Sequence, residues 1–175
     1  MAKDAEHPFL VKTTACAIRV LGTSFNIRFY PVEEMATTSL VTGSVEVVID
    51  EKVVRLQPNE KLSVPFTLPA TTATETAKTP PIKIGTLTPV RDNIMAETAW
   101  KDNKLAFKRL PLSEVVQRME HWYGVEIRFK NERKKNLSFS AVFEKESLTE
   151  ALQYTEISSG GFHFTKDKDN IYWIE

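Results

Sequence analysis

The chain has 175 residues, of which 42% are hydrophobic and 26% charged, and its 23 basic side chains balance 23 acidic ones. That length suits one domain or two small ones with an ordinary globular core. The zero balance argues against a nucleic-acid binder, which carries a basic excess to neutralise phosphates, and against a polybasic membrane-surface protein.

Cys16 is the only cysteine, so neither an intrachain disulfide nor a thiolate metal cage can form. Lying between Ala15 and Ala17, it reads as a small buried hydrophobe. The sequence has no apolar run of the roughly 20 residues that a membrane-spanning helix needs. It also lacks a basic-then-apolar leader.

Residues 9–64 read as β. Ile18 and Val20, then Phe25, Ile27 and Phe29, alternate so that each set shares one face of a strand. Gly22 breaks the run where a bend is easiest without a Cβ. Alternation returns at Val45, Val47 and Ile49 and again at Leu62 and Val64. Gly43-Ser44, Asp50-Glu51-Lys52 and Gln57-Pro58-Asn59-Glu60 supply turns. Short strands spaced this way predict a meandering antiparallel sheet or β-roll. Between Pro65 and Val90 the composition shifts to threonine and proline, which predicts an extended linker over 66–98. Residues 82–88 are a further candidate strand.

The C-terminal part, 99–175, holds an internal repeat. Pro111-Leu-Ser-Glu-Val-Val-Gln117 aligns with Ser147-Leu-Thr-Glu-Ala-Leu-Gln153, 36 residues further on. Each copy reads strand, helix, strand: 105–107, 112–123 and 125–129, then 137–143, 148–157 and 162–165, with a closing strand over 171–174. Ser147 and Glu150 form a capping box, and Pro111 suits a first helical turn. Leu112, Val115, Val116 and Met119, with Trp122 or Tyr123, make one helical stripe. Gly124 and Gly160-Gly161 sit where helix C-terminal glycines belong.

These motifs resemble a known family. Pro8-Phe-Leu-Val-Lys-Thr13, followed by Val20-Leu-Gly-Thr-Ser-Phe-Asn26, is similar to the periplasmic domain of FecR-type anti-sigma factors. So are Gly43-Ser-Val-Glu-Val47 and the turn Leu56-Gln-Pro-Asn-Glu60, where Asn59 replaces a common glycine. The run Ala99-Trp-Lys-Asp-Asn-Lys-Leu-Ala-Phe107, then Leu110-Pro-Leu112 and Trp122-Tyr-Gly-Val125, resembles the secretin/TonB short N-terminal-type domain at the C-terminus of FecR-like proteins of Bacteroidetes. There Asn103 replaces a common glycine. The resemblance implies a mainly β plus α+β fold. Its parts are a FecR-like all-β domain over 1–65, shortened at its N-terminus, the linker over 66–98, and a small βαβ-repeat domain over 99–175. It also implies that upstream strands, a transmembrane helix and a cytoplasmic sigma-binding segment lie outside this sequence, which leaves an open edge on the first sheet.

Catalytic chemistry is not evident. His7, His121 and His163 lack metal-ligand spacing, and Gly22-Thr-Ser24 lacks the rest of a phosphate loop or nucleophile elbow. Glu33, Glu34, Glu144, Glu146 and Glu150 sit beside turns and caps, where solvated carboxylates are ordinary. The reading is therefore a non-enzyme without cofactor or metal. The basic run Arg128, Lys130, Arg133, Lys134 and Lys135 is either a solvated strand end or a docking patch. Aromatics are so dense after Trp100 that one or two are expected to face a partner. The partner-binding candidates are Phe139, Ala141 and Phe143 on strand 137–143, Arg128 and Lys130 in the basic run, and Tyr172 and Trp173 on an exposed strand near the chain end.

The resemblance implies a periplasmic signalling region of a single-pass inner-membrane anti-sigma factor. Its partner would be the N-terminal signalling domain of an outer-membrane TonB-dependent transporter. It would reach an extracytoplasmic-function sigma factor only through the cytoplasmic segment. The alternative is a periplasmic β domain that senses a small ligand or glycan.

Overall fold

The computed structural model describes residues 9–14, 16–20, 22–30, 35–49, 52–65 and 82–175. Pro8, His7, Glu33, Glu34, Asp50 and Glu51, and the 66–81 stretch of the expected linker, lie outside the described residues. The chain divides into two compact units, Met1–Leu87 and Thr88–Glu175. The described residues are mainly β with two α-helices, in agreement with the fold class expected from sequence.

The first unit contains β1 (Phe9–Lys12), β2 (Ala17–Val20), β3 (Ser24–Phe29), β4 (Met35–Thr42), β5 (Val45–Ile49), β6 (Lys52–Leu56), β7 (Glu60–Pro65) and β8 (Lys83–Thr86). They form two four-stranded antiparallel sheets, ordered β1-β2-β5-β6 and β3-β4-β7-β8. The chain changes sheet after every second strand, as a roll requires. One alternation face of each sheet meets the other in a core of Ile18, Val20, Val45, Val47 and Leu56 against Leu40, Leu62 and Val64. Burying each such side chain stabilises by roughly 1.5–3 kcal/mol. Within the expected linker, residues 82–98 are structured: Lys83–Thr86, inside the candidate strand 82–88, adds an edge strand to the second sheet by pairing antiparallel with Glu60–Ser63, while Ile82 packs on the core.

The turn between β6 and β7 shows how asparagine replaces glycine. Asn59 has φ 68°, its N–H donates to Leu40 O at 2.9 Å, and its carbonyl accepts from Leu87 N–H at 2.8 Å. Asparagine tolerates this left-handed region better than other side chains. Asn103 does the same at φ 54°, closing the short 3-10 turn Ala99–Asp102.

The second unit starts with the hairpin β9 (Pro89–Arg91) and β10 (Ile94–Met95), and then reads β11 (Leu105–Pro111), α1 (Leu112–Tyr123), β12 (Ile127–Phe129), β13 (Ser138–Phe143), α2 (Leu148–Ser159), β14 (Phe164–Lys166) and β15 (Tyr172–Ile174). The repeat is present, but it does not form ordinary βαβ units. In each copy the strands flanking the helix belong to different sheets: β11 pairs antiparallel with β13, while β12-β15-β14 is a second sheet with β12 parallel to β15. The helices touch both sheets. Each helix therefore carries the chain from one sheet to the other. One core joins Phe107, Phe139 and Phe143 to Leu112, Val115, Met119 and Leu152 and to Ile127, Tyr172 and Ile174. The capping box at Ser147 and Glu150 is complete, and Gly124 and Gly160 end the helices at φ 66° and 58°. Pro111 closes β11 and precedes the first helical residue, instead of lying inside the first turn.

Strand β11 contains a bulge. Strict alternation from Leu105 and Phe107 would turn Arg109 inward and Leu110 outward. Instead the register moves from Phe107↔Ala141 to Leu110↔Phe139, so Lys108 and Arg109 together face Ser140. Leu110 then packs on the core, and Arg109 takes φ 49° with its N–H donated to Ser140 Oγ at 2.8 Å. The fold stores strain there that a glycine would relieve, whereas Gly43 admits no side chain. Gly43 has φ 91°, and a Cβ would lie 2.5 Å from Cγ2 of buried Thr23. Urea unfolding should show Gly43→Ala destabilised by roughly 2 kcal/mol or more, and Arg109→Gly stabilised by about 0.5–1 kcal/mol.

Candidate functional site

The two-residue period of the strands sorts the sequence-predicted partner residues into two groups. Phe139, Phe143 and Tyr172 are buried and Ala141 is half-buried against the same core. Phe107 packs against Phe139 and Phe143 with ring centroids 6.3 and 6.1 Å apart. Their side chains hold the unit together and are not available as contacts. Nor is the last strand exposed: β15 is central in its sheet, between β12 and β14, because that position lets both Tyr172 and Ile174 reach the core.

Arg128, Lys130 and Trp173 are brought together. Register aligns Arg128, Trp173 and Thr165 across β12, β15 and β14 on the face opposite Ile127 and Tyr172. The Arg128 guanidinium lies 5.5 Å from the Trp173 ring centroid and the Lys130 ammonium 5.9 Å from it. Trp173 donates its indole N–H to Asp167 Oδ2 at 2.8 Å. Asp167 also accepts from the N–H groups of Asp169 and Ile171, both at 2.9 Å, and so shapes the turn before β15. Lys130 donates to Glu175 at 2.6 Å, Thr165 donates to Glu175 at 3.0 Å, and Arg128 donates to Glu126 at 2.6 Å.

The result is a tryptophan platform whose ring is fixed by a hydrogen bond and two cations. Each exposed cation–π contact is worth about 0.5–1 kcal/mol. Sequence reasoning missed Asp167, Glu175 and Thr165, although alternation from Trp173 and along β14 points to the same face. The indole hydrogen bond, reinforced by Ile171 N–H, holds the Asp167 carboxyl below its ordinary pKa of 3.8. Lys130, then Thr165, hold Glu175 below the usual range in the same way.

A second feature of this unit is a cleft of about 430 Å³ lined by Arg91, Val142, Phe143, Glu144, Lys145, Glu146 and Tyr154. Its carboxylates serve local structure. Glu144 accepts from Lys104 at 2.9 Å, and Glu146 accepts the N–H groups of Glu144 and Lys145 at 2.6 and 2.9 Å. Cys16, in the first unit, is buried beside Thr13, and burial pushes its thiol pKa up. Among the described residues no group of three or more His, Cys, Asp or Glu is placed to hold a metal, and no helix is long and apolar enough to cross a membrane.

Residues 104–173 match the family model "FecR, C-terminal". Over those residues the chain is FecR-like. Over its whole length it is similar to two crystal structures, at 1.65 Å and 2.50 Å resolution, of a "putative anti-sigma factor" from Parabacteroides distasonis ATCC 8503. Identity is 27% in both, with TM-scores of 0.78 and 0.76. The matches cover 100% and 99% of this chain and 74% and 73% of those chains. No curated protein matches the chain. The family match and the structural likeness together support a FecR-like anti-sigma factor, and a Bacteroidetes origin is consistent with them.

The FecR-like unit's platform has a pH signature. A carboxyl whose folded pKa is depressed contributes its bond above the ordinary pKa and loses it as pH falls through the lowered value. Trp173 emission, isolated by subtracting the spectrum of Trp173→Phe, should stay constant down to the ordinary aspartate range and change only below it. Asp167→Asn should abolish that transition.

Proposed function

We propose that this FecR-like chain is the periplasmic signalling region of an anti-sigma factor and works by protein–protein contact. In this reading it receives the substrate-loaded state of an outer-membrane TonB-dependent transporter through the transporter's N-terminal signalling domain. It passes that state across the inner membrane to an extracytoplasmic-function sigma factor. The first unit is the FecR-like periplasmic β domain, and the second is the secretin/TonB short N-terminal-like domain. The observation that carries the proposal is the match of 104–173 to the FecR C-terminal family, with the full-length likeness beside it.

The geometry is what such a relay needs. Of the candidate contacts, Arg128, Lys130 and Trp173 form one pre-ordered outer face, so little side-chain entropy is lost on docking. Tryptophan and arginine are the residue types that most often dominate binding energy. Strand β13 has one hydrogen-bonded neighbour among the described strands, β11, and offers its main chain and the outer row Ser138, Ser140 and Val142, because Phe139 and Phe143 point inward.

Titration calorimetry against the signalling domain of the transporter encoded beside this chain tests the reading. The expected outcome is saturable one-to-one binding, weakened at least about tenfold by Trp173→Ala, the loss typical of a central anchor. A folded chain that shows no heat at high concentration would sink the relay. Unchanged affinity in Trp173→Ala would move the contact off this face.

A further inference from the structure

The first sheet of the roll, β1-β2-β5-β6, presents a basic outer face. Register places Leu10, Arg19, Glu46 and Arg55 in one row across β1, β2, β5 and β6, and Lys12, Ala17, Val48 and Val53 in the other. Both rows lie opposite the buried row of Val20, Val45 and Leu56. Arg55 donates to Glu46 at 2.6 Å, and Arg55 and Arg19 hold the Glu46 carboxyl below the usual range. Lys12 and Arg19 make no salt bridge with a described carboxylate. The face therefore carries three cations against one carboxylate, a net charge of +2 that rests on Lys12 and Arg19, in a chain whose net charge is zero. Leu10 and Val53, 50% and 62% exposed, stand on its two edge strands.

We propose that this face binds the surface of an anionic phospholipid bilayer. Four strands at about 4.8 Å spacing and two rows of side chains make roughly 250 Å², well below the ~800 Å² per partner of a stable protein complex. A bilayer does not need a bounded, shape-matched patch. It offers continuous negative charge to Lys12, Arg19 and Arg55 and an apolar boundary to Leu10 and Val53. Each unmatched cation near such a surface raises partitioning about fivefold, so Lys12 and Arg19 together contribute about 25-fold, with Arg55 held against Glu46. The inference stands apart from the transporter relay, since none of these residues belongs to the Trp173 platform.

Co-sedimentation of the chain at low ionic strength tests it, with vesicles of equal parts phosphatidylglycerol and phosphatidylcholine against phosphatidylcholine alone. The expected result is partitioning onto the anionic vesicles only, falling as salt is added. Lys12→Glu with Arg19→Glu, both exposed positions, should lower it by about 25-fold or more, while Lys101→Glu with Lys145→Glu in the second unit lowers it far less. Circular dichroism and the charge-neutral pair Lys12→Gln with Arg19→Gln separate lost charge from lost fold. Equal partitioning onto both vesicle types, no partitioning at all, or full binding by the double reversal would overturn the proposal. So would retention on soluble polyglutamate without retention on vesicles, which would assign the face to an acidic protein.

Discussion

The period of two along a strand governs both units. Each core-forming sheet buries one face, so a single step in register would exchange core and surface over a whole strand. In the first unit this puts Ile18, Val20, Val45 and Val47 inside and Arg19 and Glu46 outside. In the second it puts Ile127, Tyr172 and Ile174 inside and Arg128, Trp173 and Glu175 outside. The core and the candidate contact faces follow from one rule, which is why Trp173 belongs to the outer face and not to the packing beneath it.

That rule was legible in the sequence, and the local devices were too. The capping box at Ser147, the left-handed Asn59 and Asn103, and the stripe from Leu112 to Met119 all depend on residues a few positions apart. Pairing across the chain was not legible. Nothing near Tyr172 says that β15 will lie between β12 and β14, and so Tyr172 and Trp173 looked equally exposed. Phe139 and Phe143 looked like candidate contacts because the number of aromatics exceeds what one small sheet can bury. The layer of helices between two sheets gives them a second wall. The bulge at Arg109 was invisible for a related reason: it corrects a mismatch between β11 and β13 that exists only once the two are paired.

The balanced charge was also a partial guide. A total of zero rules out a chain that is basic throughout, but it is a sum over faces that each have their own partners. On the outer face of β12-β15-β14, Arg128 and Lys130 are matched by Glu126, Glu175 and Asp167. Their work there is to fix an aromatic ring, and their attraction for distant acids is small. On the outer face of β1-β2-β5-β6, Lys12, Arg19 and Arg55 outnumber Glu46.

The two faces should therefore respond differently to salt. Screening falls hardest on exposed, unmatched charge acting over distances near the Debye length, and least on short hydrogen-bonded pairs. The Trp173 platform rests on contacts of 2.6 to 2.8 Å and on an indole bond that is only partly electrostatic, so its geometry persists as ionic strength rises. On the basic sheet face only Arg55 is held in such a pair, with Glu46: its attraction for an anionic surface comes from the unmatched charges of Lys12 and Arg19, and it fades first. If both proposed contacts exist, the protein contact outlasts the charged surface as salt rises, because the two depend on different ranges of the same force.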